Sequence, residues 1–108
     1  MVEKKVTISY DMEEDIIHFF TGEKVKDSIE IGDFVFDISH SGKIVGFQIS
    51  NASKFISKEY LPNIKEASMS NIYSREMVYI RVVYFVQINK NRIEKEFTSY
   101  LPELVVTK

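Results

Sequence analysis

The 108-residue chain contains no cysteine and no tryptophan, only four glycines and only two prolines. Missing thiols exclude disulfides, thiolate nucleophiles and every cysteine-based zinc site. Scarce glycine and proline confine the turns to a few places and leave long stretches free to pair as strands. No run approaches the ~18 apolar residues of a membrane span. The start, Met1-Val2-Glu3-Lys4-Lys5, passes into polar–apolar alternation rather than an apolar leader. The expectation is a soluble, cytoplasmic protein with no membrane partner. An excess of one charge is also lacking. The net charge is −2, with six basic against ten acidic residues in 1–57 and eight against six in 58–108. That is too little for a polyelectrolyte footprint, so nucleic acid is a poor fit as a partner.

What is present is β-forming material. Hydrophobic residues make up 44% of the chain, and eight Phe with six Tyr supply broad side chains for pleated surfaces. The size suits one domain over 1–108 with one core. Val6, Ile8 and Tyr10 alternate with polar residues as a half-buried strand. Asp11 to Glu14 makes a turn, and Ile16 to Phe20 returns as the second arm of a hairpin. Ile29 and Ile31, then Phe34, Phe36 and Ile38, continue the alternation around Gly32-Asp33. Ile44 to Ile49 follows the turn Ser39-His40-Ser41-Gly42, with Ile44, Gly46 and Gln48 opposing Val45, Phe47 and Ile49. Ser50 or Asn51 can cap a short helix from Ala52 to about Tyr60, with Phe55, Ile56 and Tyr60 on its buried side and Pro62 ending it. Ile64 to Tyr73 reads as an irregular strand, with Asn63 and Glu66 placed as in a capping box. Met77 to Ile88 carries the strongest strand signal, and Ile93 with Phe97 follows as an amphipathic edge strand. The last residues after Pro102, Glu-Leu-Val-Val-Thr-Lys, either dock on the sheet or fray. The expected fold class is α+β: mainly antiparallel β, a meander of about six to seven strands, with one short helix after the fourth strand.

The motif residues of the first half are Tyr10-Asp11 and Asp15, Glu30-Ile31-Gly32-Asp33, and Phe36-Asp37-Ile38. They continue in Gly42-Lys43-Ile44-Val45-Gly46-Phe47-Gln48-Ile49, running into Asn51-Ala52-Ser53. In this order and spacing the segment, roughly residues 6–57, resembles the small prokaryotic family catalogued as domain of unknown function number 2283. The resemblance implies a compact β-rich unit ending in a short helix, and implies no activity. The family's turn before the glycine matching Gly42 is usually acidic, whereas here it is Ser39-His40-Ser41, so no carboxylate metal loop carries over. Residues 64–100 lie beyond the resemblance as a C-terminal β-hairpin extension.

Three sets of residues carry possible chemistry. Asp11, Asp15 and His18, with Glu13 and Glu14 beside them, offer oxygen and imidazole donors for a divalent ion. They sit in a hairpin turn where carboxylates are ordinarily solvated, and Asp15 has the alternative of accepting backbone amides within the hairpin. His18 or His40 with Asp33 or Asp37 could form an acid–base pair, yet no serine occupies a nucleophile setting. The basic residues from Lys54 onward, among them Lys54, Lys58, Arg75, Arg81 and Arg92, alternate with glutamates as a mixed solvated surface. Val78, Ile80, Val82, Tyr84 and Val86 form an unbroken apolar face. With only one short helix to cover two sheet faces, that face is the expected partner interface of a homodimer. The functional expectation is a non-enzymatic, homodimerising interaction module without a cofactor, serving a protein partner. A metal-assisted hydrolase built on the acidic hairpin and His18 is the alternative, followed by a weak nucleic-acid-binding sheet.

Overall fold

The computed structural model describes residues 3–73 and 77–102. Eight strands form one antiparallel sheet: β1 (Glu3–Asp11), β2 (Ile16–Phe20), β3 (Asp27–Ile31), β4 (Phe34–Ile38), β5 (Ile44–Ser50), β6 (Ile64–Tyr73), β7 (Met77–Ile88) and β8 (Asn91–Pro102). Their spatial order is β3-β4-β5-β2-β1-β6-β7-β8, so β3 and β8 are the edges. A plain meander would keep sequence order, but here β5 returns to pair with β2 rather than stopping beside β4. Strand β1 joins the two halves. Its residues Thr7 to Asp11 pair with β2, while Glu3 to Val6 pair with β6. The sheet turns through this shared strand and curls into a half-barrel.

Curling explains how so little material covers the core. Period-two alternation sends Ile17 and Phe19, Phe36 and Ile38, and Phe47 and Ile49 to the concave side. From the other half come Ala67 and Met69, then the β7 row Val78, Ile80, Val82, Tyr84 and Val86. Each half of the sheet is thus the cover of the other half. Ile17, Phe19, Phe47, Ile49, Ile80, Val82 and Val86 are 0% exposed, and each such side chain contributes about 1.5–3 kcal/mol of burial.

The α+β expectation is overturned: two thirds of the described chain, 67%, is strand, and no helix reaches seven residues. Where the helix was expected, the chain makes two single 3₁₀ turns, Ala52–Lys54 and Leu61–Asn63. Asn51 does not cap with its side chain; its backbone is left-handed instead, at φ 53°. Ile56 is buried as expected, but Phe55 is 41% exposed, because a single turn cannot repeat one face. Asn63 donates its side-chain amide to the Glu59 carbonyl, and Glu66 binds Arg92, so the two form no capping box. Ile64–Tyr73 is a ten-residue strand with a register shift near Glu66, which hides its alternation in the sequence. A second shift leaves Val45 as an extra residue against β4, so Ile44 and Val45 are both buried and the expected alternation fails there. The tail after Pro102 and the charges of Arg75 and Glu76 lie outside the described residues.

Candidate functional site

The acidic hairpin is a clamp. Asp15 adopts a left-handed conformation at φ 56°, which aspartate tolerates better than most residues. That geometry turns its carbonyl toward the Ala52 amide, which donates to it at 2.9 Å. The Asp15 carboxylate accepts the Ser53 amide at 3.1 and 3.2 Å, the Ser53 hydroxyl at 2.6 Å and the Tyr10 hydroxyl at 2.9 Å. The Ser53 hydroxyl bond, followed by those from the Ser53 amide and Tyr10, holds the Asp15 carboxyl below the ordinary aspartate range despite partial desolvation. Burial, then the bond to Asp15, pushes the Tyr10 phenol up.

Asp33 makes a second clamp on the same segment. Its carbonyl accepts the Ser50 amide at 2.7 Å, and its carboxylate accepts Asn51 Nδ2 at 2.9 Å and Lys54 Nζ at 3.2 Å. The Asn51 bond, then the Lys54 bond, lowers its carboxyl from the usual value. Two turns distant in sequence therefore grip residues 50–54. The motif residues Tyr10, Asp15, Asp33, Asn51, Ala52 and Ser53 share one structural task, and the sequence reading missed Asp33's part in it. Asp33 was legible only as a carboxylate after a turn glycine and a candidate acid–base partner of a histidine.

His18 points away from this clamp, on the convex side of β2. Its Nε2 lies 3.0 Å from Asp37 Oδ2, and Ser28 donates to Asp37 Oδ1 at 2.7 Å. The carboxylate reaches across Gly46, where any Cβ would collide with it. The absent side chain at Gly46 therefore makes the contact possible. The His18–Asp37 pair joins an imidazole to a carboxylate, but Ser28 bonds the carboxylate rather than the imidazole, so it is not poised as a nucleophile on a base. Asp11 accepts the Glu14 amide at 3.0 Å within its own turn. The metal candidates Asp11, Asp15 and His18 are thus engaged separately, and no group of three or more potential metal ligands converges among the described residues. His40 is exposed on the β4–β5 turn.

The expected partner interface is interior. Val78, Ile80, Val82, Tyr84 and Val86 are at most 5% exposed within the single chain. They do not present a free surface, because the other half of the curled sheet lies over them. The convex side of β7 is covered differently. The Arg92 guanidinium lies 4.1 Å from the Phe85 ring centre and bonds Glu66 at 2.7 Å, while Arg81 reaches Glu96 at 2.7 Å. Long cationic side chains lie along the apolar strand and keep their heads among carboxylates. These pairings set two of the basic residues considered for nucleic acid, Arg81 and Arg92, against carboxylates.

Part of the exposed apolar surface lies at the open rim between the two edges. Phe97 of β8 crosses toward β4, its ring centre 5.8 Å from that of Phe34, 5.7 Å from Phe47 and 6.2 Å from Phe55. Phe34 and Phe55 are 5.0 Å apart. Phe55 is 41% exposed and Ile31, paired with Phe34 on edge strand β3, is 44% exposed. The sequence reading placed Phe55 on a buried helix side and so missed this rim. Among the described residues no helix is long and apolar enough to cross a membrane.

An uncharacterized protein of Methanocaldococcus jannaschii, MJ0789, is 27% identical over 96 residues, covering 85% of this chain and 83% of its own length. No solved structure matches the chain. The family described as "Protein of unknown function (DUF2283)" matches residues 7–53, which begin within β1 and end at the Ser53 held by Asp15. Over residues 7–53, then, the chain matches the model of the DUF2283 family, in agreement with the resemblance carried by its motif residues.

Proposed function

We propose that the protein is a non-enzymatic interaction module that pairs with a second copy of itself through the open rim, along β3. The observation that carries this reading is an edge strand whose outer side has no strand partner among the described residues, beside exposed Ile31 and Phe55. Antiparallel pairing of β3 with its copy about Ile29 sets Ile29 opposite Ile29 and Ser28 opposite Glu30. No two carboxylates then face each other directly, which removes the commonest penalty in self-pairing. The engagement of Asp15, Asp33 and Asp37 in bonds within the chain favours a binding role over hydrolysis. A cytoplasmic setting fits a chain without cysteine.

Light scattering coupled to gel filtration tests the proposal at about 10–100 μM, where a reversible dimer shifts with concentration. The expected mass rises toward twice that of the chain, and Ile31→Lys returns it to the monomer. A constant monomer mass, or a dimer untouched by Ile31→Lys, overturns the proposal.

A further inference from the structure

Away from the rim, a cleft of about 410 Å³ opens where β1 leaves β2 to pair with β6. The last β1–β2 pair is Thr7 with Phe20, so beyond it Lys4 faces the segment after β2 instead of a strand. Lys4 Nζ bonds Glu23 Oε2 at 3.0 Å across this gap. On the opposite wall Asn71, at the concave face of β6, imitates a strand partner. It accepts the Ile44 amide at 2.8 Å and donates to the Ile44 carbonyl at 2.9 Å. The two halves of the sheet are thus stitched together without closing, and the space between them remains open.

The chemistry of that space is amphipathic. Tyr73, 56% exposed, supplies apolar surface to it, while the neighbouring Ile44 and Met69 are buried. Lys4 and Lys43 stand on the polar side with Glu23. The Lys4–Glu23 pair is internally neutral, and the Lys43 ammonium, unlike its backbone, has no hydrogen bond or ion pair among the described residues. One positive charge is left over beside an apolar wall. Glu23 itself is held ionised by the Lys4 and Thr21 bonds, with Lys43 contributing. Pockets of this size at the mouth of a curled sheet commonly bury an apolar ligand body and fix its orientation with a few polar groups.

We propose that this cleft binds a small amphipathic monoanion, a carboxylate carrying an apolar chain, with the chain against Tyr73 and the carboxylate on Lys43. It goes beyond the self-association at the rim and does not depend on it.

Titration of the isotope-labelled protein with sodium octanoate, followed by amide NMR, tests the site, with 1-octanol as the uncharged counterpart. Saturable shifts are expected around Thr21, Glu23, Lys43, Ile44 and Asn71, and Phe34, Phe55 and Phe97 should stay unmoved. Lys43→Glu, an exposed change, replaces attraction by repulsion and should weaken octanoate roughly five- to tenfold while leaving octanol unchanged. Lys43→Gln, which only removes the charge, should give a smaller loss in the same direction. Shifts that never saturate, shifts centred on the rim, or octanol binding as well as octanoate to the wild type would each overturn the proposal. So would a Lys43→Glu protein that binds octanoate like the wild type.

Discussion

Asp15 binds both the backbone amide and the side-chain hydroxyl of Ser53, at 3.1 and 2.6 Å, across a separation of 38 residues. A turn in the first hairpin thereby fixes the segment that leaves the fifth strand. Ser53→Ala removes the shortest of these bonds and should lower stability by about 1 kcal/mol in urea unfolding, with the slope unchanged. No loss would mean that the hydroxyl bond adds nothing beyond the amide bonds.

The same clamp gives a pH dependence with a definite sign. Asp15 and Asp33 are both held below the ordinary aspartate value of 3.8 in the folded chain. Such groups stabilise the fold above their unfolded pKa, and the contribution disappears as pH falls through the folded one. Stability should therefore decline as pH drops below the usual carboxylate range. Asp15→Asn should be less stable at neutral pH and show a shallower acid decline, measured by unfolding midpoints between neutral and acid pH. An unchanged acid slope would assign the loss to other carboxylates.

Gly46 and Asp37 should behave as one unit. Gly46→Ala pushes a methyl into the carboxylate that reaches His18, and should cost about 1–3 kcal/mol. Asp37→Ala removes the obstruction, so the double variant should recover part of the Gly46→Ala loss. A double-mutant cycle on unfolding free energies reads the coupling directly. Strict additivity would show that the glycine is needed for some other reason.

Ile80, 0% exposed at the centre of β7, distinguishes a core strand from an interface. Ile80→Ala should destabilise the single chain by about 2–5 kcal/mol, as a cavity in a packed core does. Its oligomeric state at a given concentration should follow that of the wild type wherever it remains folded. A stable Ile80→Ala chain with lost self-association would return the partner surface to β7.

Asn71 stitches the halves of the sheet through the backbone of Ile44. Asn71→Ala leaves an amide and a carbonyl short of partners at the cleft wall, and should cost about 1–3 kcal/mol. Hydrogen exchange should quicken at the Ile44 amide before it quickens in the centre of β7. Equal protection at Ile44 in the variant would show that the side-chain bond does not hold that amide.

Alternation alone determines the strand character of β1, β4 and β7, and the apolar row of β7 is readable as buried from its residue types. The motif from Tyr10 to Ser53 is equally legible as a unit. Its purpose is not, because a carboxylate meant for a metal and one meant for an amide look alike until their neighbours are placed. The helix expected after β5 fails because a capping residue and a few apolar positions are local cues. Asp15 and Asp33, fixed by distant turns, hold that segment in a single turn instead. What covers β7 was likewise beyond local reading. Burial is a property of the whole sheet, and only the change of partners along β1, which curls one half over the other, decided that the most apolar strand is core and the rim its exposed surface.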